Sequence, residues 1–337
     1  MILDFDPPSA TGRIAWDGGS IPILQKFHMI PFLDEVFRDV TIGFGPSTLE
    51  YDAPTWWQMF SFLNDFGVLY MICLLEATRP ANKWTPAYFP AIMATIAQLG
   101  GGGVIIPLQY YLYSVFCPPV GLQYSADRRI DTGRAFIWLP LALLFNTIPL
   151  AGMYLSPDLN ARHYWTWAWQ LYSIRIALGY YFLLACSSLV PSGVLRTAKT
   201  MNYHTALRII LGPLIVISAT VWINLLVNCP YSFSVLFIPS KNHEQEHANR
   251  WVGMIRRCLQ YDELVVFGSA FLWLVYLALD MKNAGIWSPG KVLRFLGAFA
   301  GAIAVGPGAA LGGLWLWREK DLVVEVGGHK SGKKRRA

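Results

Sequence analysis

Seven apolar stretches dominate this chain and leave little choice of fold. They run over about 54–78, 88–116, 135–155, 166–190, 206–228, 259–281 and 292–316. Each is long enough to cross a hydrocarbon layer of about 30 Å. Of the 337 residues, 54% are hydrophobic and 14% charged, against about 25% charged in an average soluble chain. These runs predict an all-α integral membrane protein, a bundle of about seven transmembrane helices. Trp and Tyr cluster near several run ends, where amphipathic rings sit at the headgroup level. The predicted organisation is an N-terminal segment over 1–50, with an interfacial stretch at 21–37, then a helical bundle over 51–318. A basic tail over 319–337 completes it.

Charge supplies the orientation. The net charge of +6 is concentrated in Lys330, Lys333, Lys334, Arg335 and Arg336. A basic tail of this kind argues for a cytosolic C-terminus rather than for nucleic-acid binding. Seven crossings then place the N-terminus in the lumen. The first 19 residues lack a basic start and an apolar run, so no cleavable signal peptide is expected. The five cysteines are scattered without paired spacing, which implies neither a zinc ribbon nor a disulfide framework.

One stretch spells a metal motif. His243-Glu244-Gln245-Glu246-His247 is H-E-x-x-H, the zinc-protease pattern when it lies on a helix. Here it falls between the fifth and sixth runs, just after Pro239-Ser240-Lys241-Asn242, with no third ligand in view. It is expected to be a solvated loop, and no metal site is assigned. The chain also lacks a G-x-G-x-x-G after a strand, a P-loop and a G-x-S-x-G. Histidine boxes and aspartate-rich magnesium motifs are missing too.

Ionisable and amide side chains inside membrane runs are costly and are functional candidates by default. They are Asn64, Asp65, Glu76, Gln170, Arg175, Asn224, Asn228, Gln260, Asp262, Glu263 and Asp280. With seven alternating crossings, Glu76, Gln170, Arg175, Asn224, Asn228 and Asp262 would gather at one end of the bundle. Asp65 precedes Glu76 by about three turns and shares its helix face. Glu263 and Asp280 are expected to be interfacial. A buried acid among many aromatic rings, without metal, suits proton-initiated carbocation chemistry. The acid protonates an epoxide or alkene, aromatic faces stabilise the cation, and an apolar pocket keeps water out. Glu76 and Asp262 are the catalytic candidates. Asp65, Gln170, Arg175, Asn224, Tyr261 and Trp273 are the substrate-binding ones.

Four stretches carry a resemblance: "LLEATRPANKW" (74–84), "YFPAIMATIAQLGGGGVIIPLQYYL" (88–112), "IWLPLALLFNTIPLAGMYL" (137–155) and "LQYDELVVFGSAFLWLVYLALD" (259–280). The chain resembles the fungal integral-membrane terpene cyclases of meroterpenoid pathways, the ascofuranone/ascochlorin type. That resemblance implies cyclisation of a farnesylated phenol, or of its terminal epoxide, in the endoplasmic-reticulum membrane. It implies no cofactor, and it implies a separate upstream epoxidase and prenyltransferase. It also implies paired acids near helix ends, a pattern that Glu76 and Asp262 match by position. A seven-span transporter or receptor-like protein is the competing class, in which Asp65 at mid-membrane would carry the coupling. An intramembrane zinc protease is the third.

Overall fold

Helix starts are written locally into the chain. Asp158 accepts hydrogen bonds from the backbone of Asn160 and Ala161, and Asn202 from that of His204 and Thr205, the usual N-cap arrangement. Proline occupies the first turn of five of the principal helices, where its missing N–H costs nothing. The computed structural model describes residues 12–122, 124, 126–186, 201–240 and 250–323. The stretch 243–247 and the basic tail beyond 323 lie outside the described residues.

The principal elements are a strand pair, β1 (Arg13–Trp16) and β2 (Gly19–Pro22), and eleven helices. They are α1 (Pro31–Gly43), α2 (Ala53–Ala77), α3 (Pro90–Gly100), α4 (Gly102–Phe116) and α5 (Thr132–Leu155). Next along the chain come α6 (Leu159–Trp169), α7 (Tyr172–Ala185), α8 (Tyr203–Asn228), α9 (Arg250–Asn283), α10 (Pro289–Gly297) and α11 (Pro307–Leu322). A π-turn interrupts α5 at Leu143–Thr147. The β-hairpin and α1 pack through Ile14, Ile21, Ile23, Ile42 and Leu49.

α2 is the central post, buried along nearly its whole length. Around it, four helices are long and apolar enough to cross a membrane: α2 itself, α5, α8 and α9. Large apolar side chains on their outer faces remain exposed, among them Val216, Ile223, Leu264, Leu272 and Tyr276.

Three of the seven expected spans are divided. The second breaks at Gly101 into α3 and α4, and the fourth at Leu171, which has φ +58°. The seventh breaks at Gly306 between the α10 region and α11. The first and last breaks are reversals rather than kinks. Thr85, ahead of α3, meets Cys117, behind α4, at 3.2 Å. Trp287 and Lys291, ahead of and within α10, both reach Asp321 at the end of α11. Each pair is therefore a helical hairpin that returns to the end it left. Glycine permits the turns, since Gly101 has φ +90° and Gly306 φ +91°, conformations that side chains resist.

The reversal at Gly101 flips the polarity of the later helices. With the second stretch folded back, α9 runs parallel to α2. Gln58 meets Glu263, Phe62 meets Phe267, and Glu76 lies near Trp273 through Tyr113. The two ends of the bundle are hereafter the Asp52 end and the Glu76 end.

Candidate functional site

At the Glu76 end, four charged side chains are sealed inside the protein. Glu76 accepts from Arg79 at 2.9 and 3.0 Å, Trp315 at 3.0 Å, Asn82 at 3.0 Å, Tyr113 at 3.1 Å and Arg318 at 3.2 Å. Glu319 accepts from Arg79 at 2.8 Å, Arg318 at 2.9 Å and Tyr203 at 2.8 Å. Arg79 also donates to the Arg128 carbonyl. Two carboxylates thus balance two guanidinium groups, all of them at most 3% exposed. Such a cluster holds only while every partner is present. Beside it lies a crevice of about 10 Å³, lined by Cys73, Glu76, Gln109, Tyr110, Tyr113 and Trp273, room for about one water.

The large cavity lies elsewhere. About 400 Å³ opens toward the Asp52 end between α1, α2, α3 and α9. Its walls carry Phe44, Phe62, Phe66, Trp169 and Tyr172, with Met59, Leu63, Ala94, Ala97 and Leu259 between them. The polar side chains on the wall are Asp39, Gln98, Cys258 and Asp262. Sites that take drug-sized ligands run from about 300 to 1,000 Å³ and are mostly apolar, with a few placed polar groups.

Asp262 is held by the glycine reversal. The Gly103 N–H, in the first turn of α4, donates to its Oδ1 at 2.8 Å. A Cβ on Gly103 would fall 2.9 Å from that oxygen, so "GGGG" lets a helix start reach the acid. The second reversal approaches another acid. Asp65 accepts from Ser218, and a Cβ on Gly308 would fall 2.5 Å from the Asp65 Cα.

The expected gathering of six polar residues at one end is therefore corrected. Asp262 and Glu76 sit toward opposite ends. From Asp262 to Trp273 along α9 is eleven residues, about 16 Å, and Glu76 lies beyond. Because the Gly101 hairpin does not cross, every later span is inverted relative to α2. Gln170 remains on the Asp52 side, its Oε1 accepting from Gln98 at 2.7 Å. Arg175 contacts the Ala168 carbonyl and His28, 3.4 Å away, and lies over the Phe27 ring. Asn224 is exposed and pairs with Asn228 at 2.8 Å. Tyr261 is 54% exposed on the outer face of α9, away from the cavity. Trp273 is buried, stacked on Tyr110 with centroids 4.9 Å apart, beside the small crevice. Asp65 and Glu76 do share a face: both meet α11, at Gly308 and at Trp315 and Arg318. Glu263 is not interfacial; it is buried against Gln58 at 2.7 Å. Asp280 accepts from the Val120 N–H at 2.8 Å.

Sequence reasoning missed the aromatic wall, Gln98, and the second hairpin at Gly306. It also missed Arg79, Arg318 and Glu319 as partners of Glu76. The i,i+3 spacing of Glu76 and Arg79 was a visible signal; the α11 partners had none. Among the described residues, no three His, Cys, Asp or Glu side chains are grouped to hold a metal ion.

Fold and site together define a helical bundle, four of whose helices are long and apolar enough to cross a membrane, built beside an aromatic-lined cavity. The chain belongs to the CtvD-domain family, whose model matches residues 9–324. It is 29% identical over 310 residues to an FAD-dependent monooxygenase, verC1, of Penicillium polonicum, covering 90% of this chain and 37% of that protein. It is 27% identical over 307 residues to an FAD-dependent monooxygenase, anuJ, of Penicillium roqueforti, covering 90% and 36%. The chain thus spans little more than a third of the length of these relatives. No solved structure matches it.

Dinucleotide sites use a strand, a glycine-rich turn and a helix N-terminus within a βαβ unit. The only sheet among the described residues is the antiparallel pair β1–β2.

Proposed function

We propose that the chain is a membrane-embedded terpene cyclase acting on a lipophilic, epoxidised prenylated aromatic. The observation that carries this reading is the 400 Å³ aromatic cavity with Asp262 in its wall. In this reading Asp262 donates the proton from Oδ2 to the epoxide oxygen, the C–O bond opens, and the prenyl double bonds close onto the cation. The Gly103 N–H on Oδ1 stabilises the carboxylate that forms as the proton leaves. Phe44, Phe62, Phe66, Trp169 and Tyr172 offer π-faces to the migrating positive charge. Loss of a proton at the end makes the reaction an isomerisation.

The length of the relatives fits the same sequence of events. A monooxygenase can make an epoxide, and this chain corresponds to about a third of two proteins named as such. The flavin chemistry then belongs to the part of those relatives outside the match, and the CtvD-type portion consumes the oxygenated product. The placement we infer is a multi-pass protein of the endoplasmic-reticulum membrane. Glu76, in this reading, holds the far end of the bundle together.

The test is a microsomal assay with a terminally epoxidised farnesyl phenol and chelator present. A product of unchanged mass and new retention time is expected with the native chain and not with Asp262→Asn. Full turnover by Asp262→Asn would remove this acid from the mechanism.

One observation favours a second reading. Two broken helices reverse at glycine, and the return of each starts beside an acid, Asp262 or Asp65. Discontinuous helices of this kind bind ions and substrates in transporters. Proton-coupled uptake into vesicles that depends on Asp65, without any isomerised product, would support carriage over cyclisation.

A further inference from the structure

A second cavity, of about 340 Å³, lies at the Glu76 end between α8 and α11. His204, Leu207 and Arg208 line it from the first turns of α8. Gly313, Leu316, Trp317, Glu319 and Lys320 line it from the last turns of α11. Glu319 apart, the two sets are one-face spacings, i, i+3, i+4 on α8 and i, i+3, i+4, i+7 on α11. The basic groups His204, Arg208 and Lys320 form the outer edge, with Arg208 and Lys320 exposed, while buried Leu207, half-buried Leu316 and Trp317, and the bare backbone of Gly313 make the apolar wall. From Lys320 to Gly313 the groove descends about 10 Å. The one acid, Glu319, is already matched by Arg79, Arg318 and Tyr203, so it does not cancel the rim.

We propose that this groove binds one anionic phospholipid, with the phosphate between His204, Arg208 and Lys320 and an acyl chain along Gly313. Three features select this occupant. The rim is cationic while the floor is apolar, a division that suits an amphiphile. Trp317 stands between the two, the position tryptophan takes at a lipid headgroup boundary. Lys83, Arg129, Lys282 and Arg294 are exposed at the same end of the bundle, the signature of the leaflet that carries anionic lipid. Lipid in this groove presupposes the membrane placement proposed for the chain and is independent of the reaction.

Gly313 makes a clean test. A Cβ built there meets nothing within 4 Å, so Gly313→Leu projects a side chain from open space into the groove with better helix propensity. The native protein, purified in mild detergent, is exchanged into nanodiscs of phosphatidylcholine with or without phosphatidylinositol. Retained lipid is counted by native mass spectrometry. Retention of one phosphatidylinositol per chain is expected for the native protein. Arg208→Gln and Lys320→Gln should each lower its preference over phosphatidylcholine about fivefold. Gly313→Leu should abolish it while the thermal midpoint in phosphatidylcholine alone stays put. Equal retention of the two lipids, or of phosphatidylinositol by Gly313→Leu, would overturn the proposal. Competition by millimolar inorganic phosphate alone would reassign the rim to a free anion. A chain that washes off membranes without detergent would instead sink the membrane placement.

Discussion

Glu76→Gln separates two roles that a single acid can play. The change keeps the side-chain shape and removes one charge from a cluster at most 3% exposed. Arg79 and Arg318 are then left facing Glu319 alone. Removing one partner of a buried ion pair costs about 3–5 kcal/mol, against a total stability of about 5–15 kcal/mol. At about 2 °C per kcal/mol in a chain of this size, the thermal midpoint should fall by about 6–10 °C. The assay is the temperature at which detergent-solubilised protein leaves the monodisperse peak on size exclusion. Adding Arg318→Met to Glu76→Gln restores neutrality, so the double variant should regain more than half of the loss. An unshifted midpoint with abolished turnover would refute this reasoning and return Glu76 to the chemistry.

Two further perturbations address the reversal and the N-terminal packing. Gly101→Ala places a Cβ at φ +90° and 3.5 Å from the Asp262 carboxylate, a strain of about 1–3 kcal/mol. It should cut turnover at least tenfold, while Gly212→Ala, where a Cβ meets nothing within 4 Å, should leave the rate unchanged. His163 accepts the Leu24 N–H at 3.2 Å, and burial pushes its pKa down to about 4. The unfolded imidazole binds a proton more readily than the folded one. Its packing is therefore fully favourable above about pH 6.5 and is lost as pH falls toward 4. Hydrogen exchange at Leu24 should rise over that window, and His163→Gln should flatten the dependence.

Much of the bundle was legible because its long apolar runs fold as helices. The starts of α6 and α8 are spelled by Asp158 and Asn202, and the helical content comes from the runs themselves. Asp262 stood out because acids are rare in such runs, and the sharing of a face by Asp65 and Glu76 comes from helical periodicity alone.

Only the tertiary structure decided direction. Hydropathy gives the length of an apolar run but not whether it crosses or turns back, since both bury the same side chains. The glycines at 100–103 and at 306 carried that choice, and a positive φ at Gly101 and Gly306 made each a reversal. From that one degree of freedom came the parallel pairing of α2 with α9, the separation of Glu76 from Asp262, and the position of the aromatic cavity. Sequence by itself determined which groups were expensive to bury. Which of them met was set by contacts between helices far apart in the chain, such as Glu76 with Arg318 and Asp262 with Gly103, and no local pattern encodes those.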